Sequence, residues 1–155
     1  MLLKKQENNN VTKAIYSSSN ICASTYDKTS KDLTIIFNNG GQYRYSNVSE
    51  TDYTRFELAD SQGVIFNSHI KRYAFEKMDK VDPSAILLEV TELKDAEKKI
   101  KVQRVTNSMI TAINAVSVYY EKTESIDPAL YAKMKSAMDD YEKITSSAAA
   151  TIVND

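Results

Sequence analysis

The stretch NNGGQYRY, residues Asn38 to Tyr45, decides how the first half of this chain folds. Asn and Gly tolerate positive φ at little cost, so Asn39-Gly40 between two strand-like runs is a strong β-hairpin signal. The run before it, residues 33–37, places Leu33, Ile35 and Phe37 on one face, because strand side chains alternate. The stretch therefore predicts a hairpin of residues 33–37 and 42–46.

The neighbouring sequence extends this hairpin into a small domain. Residues 21–26 alternate loosely and predict a third strand, while Ser49 and Asp52 stand at capping-box spacing and predict a helix start. The stretch Ser61-Gln62-Gly63 separates that helix from a second one, which ends near Arg72. We therefore expect residues 15–80 to form a small three-stranded antiparallel sheet with two short helices. Residues 1–14 are polar and Asn-rich, which indicates an N-terminal arm that only a partner would order.

The remaining residues, 81–155, predict a long antiparallel helical hairpin, so the fold class is α+β. Asp82-Pro83 and Asp127-Pro128 are helix-start signals, and they indicate helices at about 83–122 and 128–152. Apolar residues recur on each helix at three-four spacing, and two helices alone leave such surface uncovered. Either the first domain or another chain must cover this surface, and we favour a homo-oligomer. The residues expected to form its shared seam are Val105, Met109, Val116, Leu130, Met134, Tyr141 and Ile144.

About residues 19–73 resemble the KTSC domain, through an ordered set of short motifs. These are Tyr26-Asp27, the alternating run 33–37, Gly41, Tyr43-Arg44-Tyr45, Ser61-Gln62-Gly63, Phe66-Asn67 and Ile70. One departure is Ser49, where family members often have Pro. The family occurs as a C-terminal extension of some lysyl-tRNA synthetases and as free-standing proteins of bacteria and phages. RNA binding has been suggested for it, so the resemblance implies the fold of the first domain and RNA as a candidate ligand.

Tyr43 and Tyr45 share one face of their strand and permit two interpretations. They could stack on unpaired bases while Arg44, Lys71 and Arg72 hold phosphate. Alternatively, both rings fill the interior beneath the helices and Arg44 faces outward, which we favour because a small sheet needs large inward residues. The basic, aromatic run from His69 to Lys80 also suits nucleic acid, but acidic residues within it favour a solvated surface.

The composition gives no indication of an enzyme. The net charge is -1, and Cys22 and His69 are the only residues of their types, so a His/Cys metal site is not expected. Neither a Walker loop nor a Rossmann glycine set occurs, and no cofactor or small-molecule substrate is predicted. No apolar run is long enough to span a membrane, and a cytoplasmic location in a bacterial host cell is expected.

The sequence thus favours a non-enzymatic adaptor. Its KTSC-like domain would engage a macromolecule, with RNA as the candidate, and its hairpin would mediate self-association or hold a protein partner. Two alternatives remain open: a structural or assembly component of a phage virion, and a phage-encoded inhibitor of a host or defence protein.

Overall fold

The structure is a computed structural model that describes the backbone of residues 1–152 and the side chains of residues 1–147. The predicted domain end at residue 155 lies outside the described residues. The chain divides into two compact units, Met1–Asp95 and Ala96–Asp155. The strands are β1 (Leu2–Asn8), β2 (Val11–Tyr16), β3 (Ile21–Asp27), β4 (Asp32–Phe37), β5 (Gln42–Tyr45) and β6 (Phe75–Met78). The helices are α1 (Glu50–Glu57), α2 (Gln62–Ile65), α3 (Ser84–Thr123) and α4 (Pro128–Ile152), and a π-helical segment, Phe66–Ile70, follows α2.

The first unit contains one antiparallel sheet in which the six strands lie in chain order, β1 to β6. The α+β class and the antiparallel pairing are as predicted, but the prediction of three strands was wrong. It missed β1, β2 and β6. β6 is only four residues long and mostly exposed, so its apolar pattern is weak. It joins the sheet beside β5, after the helices that follow β5 in the chain.

The predicted N-terminal arm was also wrong, because residues 2–16 form the hairpin of β1 and β2. Asn9 takes a φ of 53° in its turn, a conformation that Asn tolerates better than most residues. One face of β2 is buried, and it ends at Tyr16, whose hydroxyl lies 2.7 Å from Ser24 Oγ on β3. Strand pairing and this buried face therefore order the segment without a partner.

The predicted hairpin of β4 and β5 is confirmed, and its turn holds the segment that follows β6. Gly40 has a φ of 79°, and the Val81 amide donates to its carbonyl oxygen at 3.0 Å. A Cβ on Gly40 would lie 2.3 Å from the Val81 carbonyl oxygen. Glycine is therefore required here both by the backbone conformation and by the close approach of residue 81.

The core lies between one sheet face and the helices, and aromatic residues supply much of it. The rings of Tyr26 and Tyr53 stack with centroids 4.2 Å apart, and Tyr16 meets Phe56 edge-on at 5.5 Å. The predicted helix start is confirmed, since Ser49 Oγ accepts from the Asp52 amide at 3.2 Å. Together these contacts hold α1 against β2 and β3.

The second unit consists of the rest of α3 and of α4, which form the predicted helical hairpin with nearly the expected ends. The predicted domain boundary at residue 80 differs from the observed division after Asp95. The reason is that the first turns of α3 belong with the sheet: Val90 is buried, and Glu89 lies 2.6 Å from Lys4 of β1.

Candidate nucleic-acid interface

A pocket of about 330 Å³ lies where β5, β6 and the π-helical segment meet. We call it the aromatic–lysine pocket, because five of its residues are aromatic and three are lysines. It is lined by Phe37, Tyr43, Tyr45, Phe66 and Phe75, by Lys71, Lys77 and Lys80, and by Asn39 and Gly41. Proteins that bind single-stranded nucleic acids combine aromatic side chains, on which bases stack, with cationic side chains that contact the phosphates.

The pairing of β5 with β6 separates the charges of this region onto two faces. Tyr43 pairs with Lys77 and Tyr45 with Phe75, so these four side chains share the pocket face. The intervening pair, Arg44 and Glu76, forms an ion pair on the opposite face. Glu76, one of the acidic residues within the basic run, therefore does not enter the pocket.

The aromatic rings of the pocket form one contiguous cluster, and they differ in how far each is exposed to solvent. Phe75 lies with its ring centroid 6.0 Å from Tyr43 and 5.8 Å from Tyr45, and Tyr45 also contacts Phe66 edge-on at 5.8 Å. Tyr45 is 4% exposed, and burial raises the pKa of its hydroxyl to about 12. Phe75 is 62% exposed. Tyr45 is thus part of the core, as the favoured interpretation has it, whereas half-buried Tyr43 and exposed Phe75 present ring surface to solvent.

Three lysines supply positive charge at the rim of the pocket. Lys71, Lys77 and Lys80 are all exposed. None of the three takes part in an ion pair within the part of the chain that the structure describes. Their charges are therefore free to meet an anion such as a phosphate group.

Two of the residues expected at a nucleic-acid site lie outside this pocket. Arg44 is on the opposite sheet face, and Arg72 donates to Asp52 Oδ2 at 2.8 Å, beside the Tyr73 hydroxyl at 2.6 Å. These hydrogen bonds hold the pKa of Asp52 below its ordinary value, and the bond from Tyr73 has the larger effect. Arg72 therefore fixes the segment before β6 to α1.

Tyr43, Tyr45 and Lys71 line the same pocket. Phe75, Lys77 and Lys80 belong to the basic, aromatic run that the sequence favoured as a solvated surface, and Phe66 was predicted only as part of the family motif. The alternation of Phe75 and Lys77 with Glu76 was the signal that could have found two of them.

The hairpin residues predicted to form a seam are placed at the half-buried positions of α3 and α4. All seven are half-buried: Val105, Met109, Val116, Leu130, Met134, Tyr141 and Ile144. Their three-four recurrence is typical of the apolar stripe through which one helix packs against another. The exposed large apolar side chains of the unit occupy other positions, among them Ile110, Tyr120 and Met138.

Neither a metal cluster nor a membrane helix is found where the structure describes the chain. No group of three or more His, Cys, Asp or Glu residues is arranged to hold a metal ion there. Among the same residues, no helix combines the length and apolarity needed to cross a bilayer.

Comparison with known proteins identifies the first unit. The family model of the KTSC domain matches residues 17–75. The crystal structure of a KTSC domain protein from Yersinia pestis is 31% identical over 44% of this chain and 99% of that chain, with a TM-score of 0.43. No curated protein matches the chain. Lys77, Lys80 and the helical hairpin lie beyond the matched family segment. Because the family model matches and the identity extends over almost the whole Yersinia pestis protein, this chain belongs to the KTSC domain family.

Proposed function

We propose that the protein is a non-enzymatic adaptor whose KTSC domain binds single-stranded RNA at the aromatic–lysine pocket and whose hairpin self-associates. The observation that carries the first part is the β5–β6 register, which puts the aromatic rings and Lys77 on one face and the acid Glu76 on the other. RNA that is already unpaired offers base faces for stacking, which a duplex keeps inside its own stack.

The pocket offers both interactions that sequence-tolerant binding of single strands needs. Exposed Phe75 and half-buried Tyr43 provide ring surface, and each stacked base typically contributes about 1–3 kcal/mol. Lys71, Lys77 and Lys80 would neutralise phosphates and release counterions. Because the whole chain carries a net charge of only -1, the attraction must come from this local patch.

Fluorescence anisotropy with a labelled single-stranded RNA of about twelve nucleotides tests this proposal at about 50 and about 200 mM salt. We expect binding that weakens with salt, and Lys77→Gln should reduce the slope of log K against log salt by about 0.7. The matched control is Lys31→Gln, an exposed lysine of the β3–β4 turn outside the pocket, which should leave the slope unchanged. Absence of binding at the lower salt would contradict the proposal.

The second part, self-association, is supported by the exposed surface of the hairpin. No side chain from residue 96 to residue 147 is fully buried. Eight large apolar side chains in that range are exposed: Ile100, Ile110, Ile113, Val118, Tyr120, Ile126, Tyr131 and Met138. Exposed apolar surface of this extent is typical of an interaction site. Light scattering of the full chain over a concentration series should show a mass above one chain, and a monomer at every concentration would refute self-association.

A further inference from the structure

We infer that a second copy of this chain packs antiparallel on one particular flank of the helical hairpin. This inference rests on the proposed self-association and adds the surface and the orientation. The apolar flank, as we call it, consists of Ile110, Ile113 and Tyr120 on α3 and Tyr131 and Met138 on α4. Each of these side chains is exposed.

Helix geometry places these five residues on the same side of the hairpin. At 100° per residue, Ile110, Ile113 and Tyr120 lie to one side of the half-buried stripe of α3, and Tyr131 and Met138 lie to the matching side of the α4 stripe. The opposite flank carries small and polar residues, among them Ser108, Thr111, Ala115 and Ser136, which line a groove of about 610 Å³. The two flanks therefore differ in chemistry, and only one presents a row of large apolar side chains.

The charges that accompany the apolar flank are arranged symmetrically about its centre. Lys99 precedes Ile110 by eleven residues and Glu121 follows it by eleven, and both lie on the flank side of α3. On α4, Lys135 and Glu142 stand three residues before and four after Met138. Along each helix, a cation thus precedes one central apolar residue and an anion follows it.

This symmetry selects an antiparallel second copy. Residues 107–115 of α3 and 130–140 of α4 line the same groove, so Ile110 and Met138 lie at about the same level along the hairpin. A two-fold axis at that level brings Lys99 opposite Glu121 of the other copy and Lys135 opposite its Glu142. A two-fold axis parallel to the helices would instead set α3 against α4 of the other copy, so Lys99 and Glu121 would not face each other. The product is a four-helix bundle in which the five apolar residues of each copy become covered.

Disulfide cross-linking tests the orientation. Chains carrying Gln103→Cys and chains carrying Ser117→Cys are mixed, because these exposed positions are also equidistant from Ile110 and face each other only in the antiparallel arrangement. Along α3 they are about 21 Å apart, at 1.5 Å per residue, whereas a disulfide requires Cα atoms within about 7 Å. We expect the mixture to cross-link and each variant alone not to. Wild type is the control, since its Cys22 is only 1% exposed.

A matched pair of substitutions tests the surface. Ile110 and Val118 are 48% and 47% exposed on the same helix. At 100° per residue, Val118 lies about 80° around α3 from Ile110, on the side away from Ile113 and Tyr120, from which it is about 140° and about 160° distant. Ile110→Asp should raise the dissociation constant of the dimer at least about a hundredfold, since two copies of the charge enter the interface. Val118→Asp should change it less than about threefold. Circular dichroism verifies that both variants remain helical.

The outcomes separate this inference from the proposal on which it rests. A monomeric wild type overturns both. An oligomer that Val118→Asp disrupts and Ile110→Asp does not would leave self-association intact and overturn the apolar flank as its surface. An oligomer in which Gln103→Cys chains do not cross-link with Ser117→Cys chains would overturn the antiparallel orientation.

Discussion

Replacement of Phe75 by alanine separates binding from stability at the aromatic–lysine pocket. Phe75 is 62% exposed, so folding covers only about two-fifths of its surface. Since full burial of such a side chain is worth about 1.5–3 kcal/mol, the substitution should lower the free energy of unfolding by about 1 kcal/mol. The domain should therefore remain folded.

The expected effect on RNA binding is larger. Phe75 is the most exposed ring of the pocket, and loss of one base stack costs about 1–3 kcal/mol, which corresponds to an increase of about 5- to 150-fold in Kd. Anisotropy titration against labelled single-stranded RNA measures the change, and urea unfolding of the same samples measures stability.

Leu58→Ala is the matched control for this experiment. Leu58 is 64% exposed, at the end of α1, and does not line the pocket. It should lose comparable stability and bind RNA as wild type does. If Phe75→Ala and Leu58→Ala bind RNA equally well while wild type binds it measurably, stacking at Phe75 is not part of recognition.

Three further predictions concern stability, each measured by urea unfolding. Tyr45→Ala should cost about 3–5 kcal/mol because that ring is 4% exposed, and a cost below 1 kcal/mol would contradict a core role. Gly40→Ala should cost at least about 1–2 kcal/mol, from its positive φ and the clash with Val81; an unchanged midpoint would refute the close approach. The pKa of Asp52 is lowered in the folded state, so the ionised carboxylate adds to the free energy of unfolding above pH 3.8, the ordinary pKa, and this stabilisation is lost as the pH falls below that value. Tyr73→Phe removes a hydrogen bond to this carboxylate and should therefore make the loss of stability in acid less steep.

The sequence predicted the centre of the sheet well, because β3, β4 and β5 carry strong local signals. Asn39-Gly40 marked the turn, and burial of Leu33 and Ile35 follows directly from their alternation. The strands it missed are short or polar. Half-exposed β1 and exposed β6 gain their structure from pairing with neighbours, a tertiary effect that periodicity along the chain does not reveal.

The candidate site was predicted only in part for a related reason. Tyr43, Tyr45 and Lys71 were identified from composition, but the grouping with Arg44 and Arg72 ignored which face each residue takes. The β5–β6 register assigns Arg44 to the far side, and a partner twenty residues earlier in the chain, Asp52, holds Arg72. Neither partner could be read from local spacing.

The position of β6 at the edge of the sheet has a consequence for how ligand and folding are coupled. This strand, which carries Phe75 and Lys77, pairs with β5 alone, so it can detach while the interior around Tyr26 and Phe56 stays intact. We therefore expect this wall of the pocket to open separately from the rest of the domain. Any molecule that contacts both β5 and β6 closes that opening, and the amide protons of residues 75–78 should then exchange with solvent more slowly in its presence.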